Sequence, residues 1–151
     1  MKESELQVAV ADYMRLRYPN VLFHSDFGSG IKLTKGQAMK QKRQNGGRRG
    51  WPDMFIAEPR VIGKRLDNGD IYTGLYSGLF IELKKDGEKL LAGNRAKNRF
   101  LSIDGKEYKT EHLKEQADVI YELNRRGYIA SFAVGFDEAK KLIDDYLGGE
   151  E

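Results

Sequence analysis

The chain predicts an α/β fold, a mixed central sheet flanked by helices, on three observations. Apolar stripes at helical spacing stand near both ends of the chain. Between them several short runs read at the strand period, two of them joined by Asn68-Gly69. A further apolar run, Tyr128 to Val134, lies between two helical segments near the C-terminus. Helices alternating in this way with strands cover a central sheet, which is the layering of the α/β class.

Each element has its own signal. Ser4-Glu5-Leu6-Gln7 fits a capping box, with Ser4 at the helix start and Gln7 reaching back from the third helical position. Leu6, Val10, Tyr13 and Leu16, with Ala9, continue the helix until Pro19-Asn20 ends it. Val21 to Ser25 predicts a short strand. From Phe27 to Gly50 the chain is glycine-rich and basic, a loop with one helical run around Gln37 to Gln44. Strands are expected at Asp53 to Ala57, Val61 to Leu66, Ile71 to Leu75 and Leu79 to Lys84, with Asn68-Gly69 as a hairpin turn. Asp86 to Arg99 is expected to be irregular with some helix, and Asp104-Gly105 to turn a second small hairpin. Thr110 caps a long helix that ends at Gly127, with Leu113, Ala117, Ile120 and Leu123 or Asn124 as its stripe. Asp137 is the expected cap of a last helix, Glu138 to Leu147. No repeat or linker divides residues 1–151, so one domain is expected.

Composition narrows the chemistry. The chain has no cysteine, which excludes disulfides and thiolate zinc sites. Two histidines, His24 and His112, are too few for a histidine-rich metal site. A catalytic metal must then rest on carboxylates, which points to magnesium or manganese. No apolar run approaches a membrane span, and the expected compartment is the cytoplasm.

Charge is unevenly placed. Between Asp26 and Asp53 there is no acidic residue, whereas Lys32, Lys35, Lys40, Lys42, Arg43, Arg48 and Arg49 supply seven positive charges. Taking those seven from the net +3 leaves −4 on the remainder. Such a segment either tracks a polyanion such as DNA or is a solvated basic loop.

The chemistry-bearing pair is Gly50-Trp51-Pro52-Asp53 and Ile81-Glu82-Leu83-Lys84. Side chains alternate along a strand, so Glu82 and Lys84 share one face while Ile81 and Leu83 point to the other. The backbone carbonyl of Leu83 lies between them as another oxygen ligand. Pro52 cannot donate to a ladder, which places Asp53 at a strand start on a sheet edge. Phosphodiester hydrolysis uses such a set: carboxylates to hold a hard cation, and a lysine to orient water or offset charge. An E-x-K triplet by itself is also what an exposed strand ion pair looks like. The preceding Pro-Asp and the basic segment favour the site.

At these residues the chain resembles the virus-type replication-repair nuclease (VRR-NUC) branch of the PD-(D/E)xK superfamily. The resemblance runs through Glu3-Ser4-Glu5-Leu6-Gln7, Gly28-Ser29-Gly30 and Gly50-Trp51-Pro52-Asp53, then Gly78 to Lys84, Gln116 and the closing strand and helix. It covers almost the whole chain. It implies a restriction-endonuclease-like core that cuts DNA with Mg²⁺ or Mn²⁺, often at branched structures such as Holliday junctions, and small stand-alone members resemble junction-resolving homodimers. Asp53 and Glu82 match the metal ligands and Lys84 the catalytic lysine. Glu5 matches the acidic residue of the first helix, with Glu3 close by as the alternative, and Gln116 matches the later glutamine. The chain departs from the pattern in the Asn68-Gly69 hairpin and in the long segment between Lys84 and Gln116, which bear on substrate choice. Tyr72, Leu75 and Tyr76 of that hairpin offer surface for a dimer. His24 either meets the site or packs within its strand. Two other readings stand beside the branch-selective enzyme: a nuclease of the same fold acting in restriction or end-trimming, and an inactive nucleic-acid-binding module.

Overall fold

In the computed structural model the described residues are 1–26, 33–65, 68–69 and 71–148, so the Gly28-Ser29-Gly30 motif and Lys32 lie outside them. The elements run α1 (Glu3–Arg17), β1 (Phe23–Ser25), α2 (Lys35–Gln44), β2 (Met54–Ile56), β3 (Arg60–Arg65), β4 (Ile71–Tyr76) and β5 (Leu79–Lys84). They continue β6 (Phe100–Leu101), β7 (Glu107–Tyr108), α3 (Glu111–Arg125), β8 (Ile129–Val134) and α4 (Phe136–Leu147).

The central sheet has the order β1-β2-β5-β8. Its first two pairings are antiparallel and the β5–β8 pairing is parallel, so the sheet is mixed, as expected. β2 therefore lies inside the sheet and not at its edge. Pro52 is tolerated because the β2 ladder begins only at Met54, two residues later. The Asn68-Gly69 hairpin forms its own two-stranded sheet, β3 on β4.

Alternation along β5 divides the molecule. Leu79, Ile81 and Leu83 enter the main core with Leu6, Val10 and Met14 of α1 and Ala139 and Ile143 of α4. Each large apolar side chain buried there contributes roughly 1.5–3 kcal/mol. On the opposite face Val119 and Leu123 of α3 close over Ala130, with Phe80 against them. The tyrosine hydroxyls of Tyr13 and Tyr18 both donate to Asp144 and tie α1 to α4.

Several local expectations are corrected. α1 starts before Ser4, with Lys2 at the cap position, where the Glu5 carboxylate accepts the Lys2 N–H at 3.0 Å and makes the backbone half of a capping box two residues early. Met14 completes the four-residue repeat set by Leu6 and Val10, while Leu16 falls off that line and is exposed. α4 begins at Phe136 behind a Gly135 cap, leaving Asp137 in its first turn. Asp86 to Arg99 contains no helix. Its backbone is stitched to β7 instead, through Lys109 N–H to the Leu90 carbonyl (3.1 Å) and Ala92 N–H to the Glu107 carbonyl (3.0 Å). In α3, Val119 takes the burial expected of Ile120, and Asn124 turns to β8, donating to and accepting from Ala130. Thr110 caps α3 as expected, accepting from Leu113 N–H at 3.1 Å.

Candidate functional site

Asp53 is placed by the three residues before it. Gly50 has φ +88°, and a Cβ there would lie 2.8 Å from backbone atoms of Glu115 and Gln116. Only glycine allows the Gly50–Asp53 segment to lie directly on α3. Asp53 is then buried at the start of β2, where its Oδ2 accepts the Leu83 N–H at 2.9 Å. Its own carbonyl accepts the Asp26 N–H at 2.6 Å, which fixes the neighbouring β1 end.

Glu82 and Lys84 project from the same face of β5, as strand alternation requires. Both are buried, and Lys84 Nζ lies 3.6 Å from Glu82 Oε2. The third carboxylate comes from α1. Oxygens of Glu3, Asp53 and Glu82 lie within 4.8 Å of one another. Glu3, in the first turn, reaches this cluster; Glu5 does not, since its carboxylate is engaged at the Lys2 backbone. The sequence named Glu5 on the family resemblance, with Glu3 as the alternative, and the preference for acid at a helix N-terminus does not separate the two.

Within the cluster the Lys84 ammonium offsets the buried carboxylates only in part. Burial and then the Asp53 charge push the Glu82 carboxyl up to about 10, against the partial relief given by Lys84. Burial raises Glu3 as well, with Lys84 opposing and Asp53 adding to the rise. Glu82 Oε1 and Gln116 Oε1 are buried with no hydrogen-bond partner. An orphaned buried acceptor costs roughly 1–3 kcal/mol, and more when charged. Three converging carboxylates with an unsatisfied oxygen are the donor set that a hard divalent cation satisfies, and such an ion reverses the local charge balance.

These groups open into a cleft of about 460 Å³. Lys42, Arg48 and Arg49 line it, so the basic segment does bring cations to the site. Lys35, Lys40 and Arg43 are exposed on α2 and do not line the cleft. Gln116 is buried and lines it from α3. His24 is exposed on β1 and is absent from the cleft wall. His112 and Trp51 do line it, and the sequence assigned neither a role. Partial burial and the nearby Lys84 ammonium hold the His112 imidazole below its usual range. Its signal was its spacing: four residues before Gln116, it shares that residue's helix face.

No family model matches the chain, and no curated protein does either. The chain is similar to the solved structure of a VRR_NUC domain protein at 25% identity, over 100% of this chain and 92% of that one, with a TM-score of 0.58. The mixed sheet with its flanking helices is thus a VRR-NUC-like, restriction-endonuclease-like fold. None of the helices among the described residues is long and apolar enough to cross a membrane.

Proposed function

We propose that this protein is a Mg²⁺- or Mn²⁺-dependent endodeoxyribonuclease that acts on branched DNA such as four-way junctions. One observation carries the reading: Glu3, Asp53 and Glu82 converge beside Lys84 at the base of a cleft lined by Lys42, Arg48 and Arg49. The VRR-NUC-like fold supports the same activity.

Glu3, Asp53 and Glu82 would hold the cation, together with the Leu83 carbonyl. Extending the β2–β5 register places Pro52 opposite Leu83, and proline has no N–H to offer that carbonyl. When bound, a hard divalent ion supplies Lewis-acid polarisation of a phosphoryl oxygen and makes water more acidic. Lys84 faces the charge that develops on the phosphate, where a fixed ammonium in a buried site is effective. Lys42, Arg48 and Arg49 take the flanking phosphates and set the strand against the carboxylates. Gln116 and His112 complete the wall and offer polar atoms for orienting the nucleophile.

Labelled four-way junction, flap and linear duplex, each incubated with Mn²⁺, test the reading. Paired nicks in the junction are expected, with turnover abolished in Asp53→Asn. Equal cutting of all three substrates favours a restriction or end-trimming role, and binding without any cutting favours an inactive module. We further propose a homodimer, since two nicks need two centres. Val61 and Leu75 form an exposed apolar cross-strand pair on the hairpin, while Tyr76 instead covers the core and the Tyr72 side chain lies outside the described residues. Light scattering checks this, with Leu75→Lys expected to give a monomer.

A further inference from the structure

One row of the site-facing side of the sheet is aromatic. Phe55 stands opposite Phe80 across the β2–β5 pairing, and their rings stack at 4.4 Å with 23° between planes. Trp51 lies 6.1 Å from Phe80 at one end, and Tyr128 lies 5.2 Å from Phe80 at the other. α3 covers the β8 end of this row through Val119, Leu123 and Ala130. Two places along the row are open: Trp51, against Phe80, is 43% exposed, and His24, the register partner of Phe55, is exposed on β1. Trp51, the largest ring of the row, is also its most exposed, which leaves it within reach of a ligand in the cleft.

Position and charge say what the open ring meets. Trp51 also lines the cleft that holds Asp53, Glu82 and Lys84, and it follows Arg48 and Arg49 in a segment without acidic residues. Phe80 precedes Glu82 by two residues on the same face of β5, roughly 6.5–7 Å along the strand. A polyanion drawn in by the arginines therefore passes the carboxylates and the Trp51 ring together, with Phe80 behind that ring. Aromatic surface beside a basic groove is how proteins hold unpaired nucleotides, because every base has a π-face.

We propose that Trp51, backed by Phe80 and Phe55, is a stacking platform for an unpaired nucleobase of the DNA strand lying at the carboxylate centre. The proposal rests on the nuclease reading for the identity of that strand. It narrows the substrate to DNA with an unpaired base beside the cut, such as the base of a flap or a junction whose crossover base pair is opened on binding.

Trp51 is the only tryptophan of the chain, so its fluorescence reports on the platform directly. The wild-type protein in EDTA is titrated with a single-stranded oligodeoxynucleotide, an abasic strand of equal length and a blunt duplex, with anisotropy recording binding. Saturable quenching by the single strand is expected, with little from the abasic strand or the duplex. Trp51→Ala should weaken single-strand binding about 5- to 150-fold, more than duplex binding, and Trp51→Phe should restore most of it. A single strand that fails to bind, or binds without quenching, overturns the proposal, as does equal quenching by the abasic strand. Fluorescence that shifts with protein concentration alone would assign the ring to an interface with a second copy and also overturn it. Cleavage with Mn²⁺ is scored separately. Quenching without cleavage keeps the platform and removes the nuclease, while cleavage without quenching does the reverse.

Discussion

The Leu83 N–H donates to Asp53 Oδ2 at 2.9 Å just beyond the point where the β2–β5 ladder ends. The strand that carries Glu82 and Lys84 thereby orients the carboxylate that precedes β2. This hydrogen bond joins the two halves of the site, and it separates two substitutions that would otherwise look alike. Asp53→Asn keeps an acceptor for that N–H, so near-native stability is expected with cleavage abolished. Asp53→Ala leaves the donor buried and unpaired, at a cost of about 1–3 kcal/mol. Thermal unfolding of both variants in EDTA distinguishes them; equal melting temperatures would show that the bond contributes nothing.

Glu3 and Glu5 should behave differently although both belong to the first turn of α1. Glu3→Gln removes a carboxylate from the cluster with Asp53 and Glu82, and Mn²⁺ affinity and turnover should both fall. Glu5→Gln touches the Lys2 backbone alone, at about 0.3–1 kcal/mol of stability, with turnover retained. Calorimetric Mn²⁺ titration of the two variants is the measurement. A larger loss of affinity in Glu5→Gln would reverse the assignment.

The pH dependence follows from Glu82. Its folded-state value is raised to about 10 from an ordinary 4.5, so between those limits the metal-free folded chain keeps a proton that the unfolded chain has released. The stabilisation is complete below the ordinary value and is lost as pH rises, by at most about 1.4 kcal/mol per pH unit. Glu3 acts in the same direction. Denaturant titrations in EDTA across the pH range from about 4.5 to about 10 should show the decline, and Glu82→Gln should flatten it. Mg²⁺ or Mn²⁺ should stabilise the wild type more strongly as pH rises, because protons no longer compete for the carboxylates. An identical slope in wild type and Glu82→Gln would refute the account.

Arg48 and Arg49 line the cleft, so neutralising both should weaken DNA binding and flatten its salt dependence, by about one unit of slope per phosphate that is no longer neutralised. Lys35, Lys40 and Arg43 on the exposed part of α2 should matter less. Binding measured across a range of salt concentrations for the two sets of variants decides this, and equal effects would mean that the segment acts only as diffuse charge.

The Glu82 and Lys84 pair was legible in the sequence because strand alternation is a two-residue rule, and Asp53 because it stands in a Pro-Asp pair before a strand. Once Leu79 to Lys84 is a strand, Glu82 and Lys84 must share a face whatever surrounds them. Thr110, Asn68-Gly69 and Asp104-Gly105 were legible for a like reason, since caps and hairpin turns are set by the local chemistry of a few residues. The cap of α1 was not: the local rule favours Ser4-Gln7, because the Ser4 hydroxyl can accept an N–H and the Lys2 ammonium cannot. Yet the helix starts at Glu3, with only the Glu5 half of a box closed on the Lys2 N–H.

The sequence by itself thus determined the fold class, the carboxylate–lysine pair and the separation of charge along the chain. These rest on periods and compositions that hold over a handful of neighbouring residues. Tertiary structure alone decided that Glu3 and not Glu5 joins Asp53, and that Arg48, Arg49 and His112 face the same cleft. It also left Trp51 uncovered at the end of an aromatic row. Those outcomes depend on how α1, α3 and the Gly50–Asp53 segment pack on one sheet. A rotation of a helix by one residue turns its side chains by about 100°, and no local pattern specifies that angle.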